Sequence, residues 1–130
     1  MIRYLNTDLE LESPDELTGL AAVLQSRGLF ALHVERGEYG LWRAAFETAQ
    51  QHTTAQPNIE ALLTVIESLD GAGRSAWTAC TTRELDIGYD CGVEPWAFQD
   101  AIASELLARI ARVGASLRIT IYPEGDQPAP

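Results

Sequence analysis

Five stretches of this chain alternate apolar and polar residues with a period of two, and each keeps a distinctly polar side. Strands of that kind hold one face against a core and the other in water, which directs the chain to a sheet covered by helices mainly on one face, an α+β architecture. The first stretch, R-Y-L-N-T-D-L-E-L-E (residues 3–12), sets Leu5, Leu9 and Leu11 on one side and Tyr4, Asn6, Asp8 and Glu10 on the other. At S-P-D-E, Ser13 is a candidate helix cap, Pro14 suits the first helical position and Glu16 can complete a capping box. Leu17, Leu20, Ala21 and Leu24 then recur at helical spacing until Gly28.

From Leu29 the period returns to two, with Phe30, Leu32 and Val34 opposed to Ala31, His33 and Glu35 as far as the turn R-G-E-Y-G. The return strand L-W-R-A-A-F-E-T sets Trp42, Ala44 and Phe46 against Arg43, Ala45 and Glu47. Q-Q-H-T-T-A-Q carries no period and reads as a loop. A helix is expected from Pro57 or Asn58 to Leu69, with Ile59, Leu62, Leu63, Ile66 and Leu69 as its buried stripe. The connection D-G-A-G-R-S-A-W-T-A-C holds at most one helical turn, around Trp77.

The next strand, Thr82 to Asp90, turns Leu85, Ile87, Tyr89 and Cys91 inward and Glu84, Asp86 and Asp90 outward. Gly92 and Pro95 punctuate, a third helix carries Phe98, Ile102, Leu106, Ile110 and Val113 to Gly114, and S-L-R-I-T-I-Y is the last strand. The order is β-α-β-β-α-β-α-β, in a mixed or antiparallel sheet of about five strands. Its first six elements have the order of a ferredoxin-like (split βαβ) unit, with one further helix and strand. Residues 1–123 make a single domain and 124–130 a flexible tail.

An apolar fraction of 46% with 22% charged residues suits a chain that folds on its own. Nine basic residues, all Arg, stand against 19 acidic ones, for a formal net charge of -10. Phosphate backbones are poor partners for such a surface, whereas a basic protein suits it. The N-terminus lacks the basic segment and long apolar core of a secretory leader, and no apolar run approaches the roughly 20 residues that cross a bilayer. A cytoplasmic protein with free thiols at Cys80 and Cys91, and no membrane contact, is therefore expected.

The densest group of chemistry-bearing residues is R-E-L-D-I-G-Y-D-C-G-V-E-P-W-A-F, residues 83–98. Asp86 and Asp90 lie four residues apart on a strand, roughly 13 Å, whereas a retaining glycosidase sets its carboxyls about 5 Å apart. A second carboxylate would have to come from a neighbouring strand. D-I-G-Y-D-C-G places Gly88 and Cys91 where a calcium loop needs an oxygen ligand and the turn glycine. His33 and His52, the two histidines, stand in no zinc-like spacing, and acidic neighbours disfavour a Cys91 thiolate. There is no nucleophile elbow and no phosphate-binding loop. These readings assign no catalytic residue, metal or cofactor, and the chain leans away from enzymes.

What remains is a collective feature, an acidic sheet face formed by Asp8, Glu10, Glu35, Glu47, Glu84, Asp86 and Asp90, with Tyr4 and Tyr122 among them and Arg43 and Arg118 as fixed bases. Trp96 either anchors the strand-to-helix connection or stands exposed as an interface anchor. The expected function is a small non-catalytic binding domain that receives a basic protein, as an immunity-type inhibitor of a basic toxin would. The alternatives are a small-molecule binder or hydrolase with a pocket between sheet and helices, using Asp86, Asp90 or His33, and a homodimer or larger homo-oligomer built on the edge of the last strand.

Overall fold

The alternation of the first stretch builds the middle of the sheet. In the computed structural model, which describes residues 1–123, β1 (Arg3–Ser13) buries Leu9 and Leu11 completely and is flanked on both sides by antiparallel partners. The tail expected over 124–130 lies outside the described residues. After β1 come α1 (Thr18–Ser26), β2 (Leu29–Arg36), β3 (Trp42–Thr48), α2 (Ala55–Glu67), α3 (Gly71–Ala79), β4 (Thr82–Asp90), α4 (Ser104–Arg112) and β5 (Ser116–Tyr122). The five strands lie in the order β2-β3-β1-β4-β5, antiparallel except for the parallel pair β4–β5. The fold is α+β with a mixed sheet. The ferredoxin-like unit expected from the element order is not confirmed, because α3 adds a helix before β4 and β5 extends the sheet beyond it.

The core joins the inward strand residues Leu9, Leu11, Ala44, Phe46, Leu85 and Ile87 to Leu20, Leu24, Ile59, Leu63 and Ile66 of the helices. Burying such side chains supplies about 1.5–3 kcal/mol each. The stripe expected on α2 is buried as its spacing requires, although the helix starts at Ala55, before Pro57. α3 is a full helix where one turn was expected. Trp77 is buried from it, and its indole N–H donates to the Val113 carbonyl at 2.9 Å. Among the described residues no helix is long and apolar enough to cross a membrane.

Three local readings are corrected. Ser13 ends β1 instead of capping a helix: its Oγ accepts from the Asp15 N–H at 3.1 Å, and α1 begins later, at Thr18. In β2 a bulge at Leu32 shifts the register between Ala31 and His33, so Phe30 points outward, 56% exposed, while Ala31 and Val34 meet the core. The helix expected from about Pro95 starts only at Ser104, and residues 91–103 run without helix. Phe98 consequently packs edge-on against Tyr89, with ring centroids 5.3 Å apart, from a loop.

Candidate functional site

The outward side of the sheet is assembled by register. β4 keeps unbroken alternation, so Leu85, Ile87 and Tyr89 are buried and Glu84, Asp86 and Asp90 stand on the other side. Pairing with β1 sets Asp8 opposite Asp86 and Glu10 opposite Glu84. Cross-strand neighbours of like charge repel at about 5 Å separation. Glu47 of β3 adds a third carboxylate beside Asp8, and Asn6 is clamped between the two, donating at 3.1 Å to Asp8 and 2.9 Å to Glu47. Partial burial, then Glu47, Glu10 and Asp86, push the Asp8 carboxyl up to about 6. Glu10 is raised in the same direction, by burial first and Asp86 second.

Arg118 of β5 partly offsets this repulsion. Its guanidinium lies 2.5 Å from Glu84, 3.2 Å from Glu10 and 3.9 Å from Asp86, while Thr120 donates to Asp86 at 2.7 Å. On the other flank Arg43 reaches Glu12 at 3.1 Å. Between the two arginines lies an open depression of about 300 Å³ bordered by Glu10, Glu12, His33 and Glu84. At the end of the sheet Arg3 donates to Asp90 at 2.9 Å, and Glu35, on the edge strand β2, stands beside His33. Tyr122 belongs to this side, opposite Asp90, and its ring lies against Gly88, where a larger residue would meet it.

Tyr4 does not share this face. A bulge in β1 between Tyr4 and Asn6 inserts Leu5, which places Tyr4 opposite Tyr89 on the helix side and leaves Leu5 exposed. There the Tyr4 hydroxyl pairs with Thr7 at 2.7 Å and accepts from the fully buried Asn58 at 2.7 Å. Asn58 also donates to Asn6 at 2.8 Å and accepts from Thr48 at 2.9 Å, so every polar atom of its amide group has a partner. This network ties α2 to the sheet from behind the acidic face. The sequence gives no hint of this network, because one Asn in a helical stripe carries no spacing signal.

Trp96 is 98% exposed, in the loop after β4 and on no helix, so it does not anchor a helical start. A second surface, also missed, lies on the helix side where α4 stops short. There Ile2, Cys91, Phe98, Ile102, Ile119 and Ile121 line a groove of about 390 Å³. Its charged group is Asp100, which accepts a short hydrogen bond from the Tyr89 hydroxyl. Burial and that carboxylate push the Tyr89 phenol upward. Cys80 and Cys91 are both free thiols. Burial pushes Cys80 up to about 11, the direction of an unreactive thiol.

Chemically, Asp8 and Asp86 supply the carboxylate pair that β4 alone could not, at the spacing of cross-strand neighbours. Asp86 is nonetheless held by Thr120 and Arg118, and the pair stands on a sheet face with no helix over it. No group of three or more His, Cys, Asp or Glu among the described residues is arranged to hold a metal ion. The arrangement concentrates negative potential on a broad surface in place of aiming groups into a cleft. Comparison with protein-family models, with curated proteins and with solved structures finds no match for this chain.

Proposed function

We propose that the chain is a non-catalytic binding module that receives a basic protein on its helix-free acidic face, in the manner of an immunity-type inhibitor. The observation that carries this reading is the like-charge register, Asp8 against Asp86 and Glu10 against Glu84, with Glu47 alongside. Such a register costs stability, and a cationic side chain landing on it would relieve the cost. The formal net charge of -10 adds long-range attraction for a basic partner. A cytoplasmic setting, which suits the two free thiols, and a ferredoxin-like (split βαβ) arrangement of β1, α1, β2, β3, α2 and β4 belong to the same proposal.

The test leaves Arg118 and its partners intact. Glu35 and Glu47 are changed together to Lys, reversing charge at the opposite end of the face from β5. Basic proteins of the native cell are then captured on the immobilised wild type and variant at low and moderate salt. The expected result is at least tenfold weaker capture by the variant, a shallower salt dependence and a melting temperature no lower than that of the wild type, because the repulsion of Asp8 by Glu47 is removed. Equal capture by both proteins overturns the proposal.

A further inference from the structure

The two edges of the sheet are built differently. β2 is broken by the bulge at Leu32 and carries His33, Glu35 and Arg36, devices that discourage a further strand from pairing. β5 has none of them: its register with β4 runs without a shift from Ser116 to Tyr122, it contains no proline, and its single charged residue, Arg118, is turned inward to Glu10 and Glu84. Among the described residues nothing pairs with its outer edge.

The main-chain groups on that edge can be identified. The Tyr122 carbonyl accepts from the Cys91 N–H on the β4 side. Backbone polar groups alternate along a strand, so those of Ile119 and Ile121 point away from β4, toward the free edge. The side chains of the same two residues face the helix layer yet are 60% and 61% exposed, because α4 begins at Ser104 and leaves that half of β5 without a roof. They line the apolar groove together with Phe98 and Ile102.

We propose that β5 accepts a sixth strand, an extended segment of the basic partner in which basic and apolar side chains alternate. This rests on the acidic-face reading for its choice of partner. Apolar side chains of the segment fall into the groove beside Ile119 and Ile121, where Asp100 adds a negative group. Basic side chains fall on the opposite side, at the Tyr122 end of β5 and away from Arg118, against the Tyr122 ring, with Asp90 behind it at roughly two strand spacings, about 9.6 Å. Main-chain hydrogen bonds supply affinity and the alternating side chains supply choice, as in other strand-addition complexes. A second copy of β5 is the weaker occupant, since two chains of formal charge -10 repel.

The probe is a labelled hexapeptide alternating Arg and Val, titrated by fluorescence anisotropy against the whole chain. Controls are the same peptide N-methylated at either set of alternate amides and a Glu/Val peptide of equal length. Binding is expected for Arg/Val, at least tenfold weaker for the set of N-methyl groups facing β5, and absent for Glu/Val. Ile119→Pro, which removes one outward N–H, and Ile121→Lys, which puts a charge into the groove, are each expected to weaken binding at least tenfold. The N-methylated peptides test the edge on the unaltered protein, so the result does not depend on either variant folding. Binding unaffected by both N-methylation sets overturns the added strand while leaving the acidic-face reading standing. Equal, methylation-sensitive binding of Glu/Val and Arg/Val overturns the basic partner. No binding of Arg/Val at millimolar concentration overturns the proposal, as does concentration-dependent self-association abolished by Ile119→Pro.

Discussion

Asp8 shows how a residue's chemistry can be set by strands far away in sequence. Its neighbours in the chain, Thr7 and Leu9, are uncharged, and its carboxyl is pushed up to about 6 by partial burial and by Glu47, Glu10 and Asp86. The folded protein therefore holds the Asp8 proton more tightly than the unfolded chain, whose pKa is near 4. The stability that comes from a neutral Asp8 is complete below about pH 4 and is lost as the pH rises through about 6. Asp8→Asn keeps an acceptor for Asn6 and removes the charge. The variant should match the wild type near pH 4 and exceed it at pH 7.5 by about 1 kcal/mol, a figure already discounted because the carboxyl is close to half exposed. Urea unfolding at the two pH values checks this, and equal stability at pH 7.5 would show that the repulsion is not felt. The outward direction of Asp8 was legible in the alternation of β1, and so were Glu84, Asp86 and Asp90. Tyr4 was misplaced by a one-residue bulge that no hydropathy pattern records, and the pairing of Asp8 with Asp86 depends on a register between strands 78 positions apart.

Elements with a long, unbroken period were legible and those governed by their ends were not. α2 followed from five apolar residues at helical spacing, whereas α3 was hidden because G-A-G-R-S looks like a loop. What stabilises α3 comes from outside it. The Arg83 guanidinium, on β4, donates to the carbonyls of Trp77 at 3.2 Å, Thr78 at 3.3 Å and Cys80 at 2.7 Å, and to Gly114 beyond α4 at 3.0 Å. A cation at the C-terminal ends of two helices satisfies carbonyls that have no partner within the helix and complements both dipoles. Arg83→Met retains most of the aliphatic stem and should cost about 2 kcal/mol, most of it from carbonyls left without a charged donor. Hydrogen exchange should show the loss concentrated in residues 71–79, and a uniform loss over the sheet would reject this role. The same dependence on ends explains α4: Pro95 reads as a helix start, yet the chain runs on as a loop to Ser104, which is why Ile119 and Ile121, on the helix side of β5, lie more than half uncovered.

At the scale of the whole molecule the two faces of the sheet answer different requirements, one burying the helices and the other keeping carboxylates in water at mutual cost. Because the acidic face is repulsive and its ion pairs are largely exposed, screening should help the fold more than it harms it. Raising NaCl from about 10 mM, with a Debye length near 30 Å, to about 200 mM should raise the melting temperature by roughly 2–4 °C, equivalent to less than about 1 kcal/mol for a domain of this size. The same change should weaken capture of a basic partner, since attraction across an interface is screened as repulsion within the face is. Opposite responses of stability and capture are what an acidic binding face requires, because one set of charges opposes folding and favours association. A melting temperature that falls with salt would instead mean that the Arg118, Arg43 and Arg3 pairs dominate. The face would then be a balanced ionic surface, with little left to attract a partner.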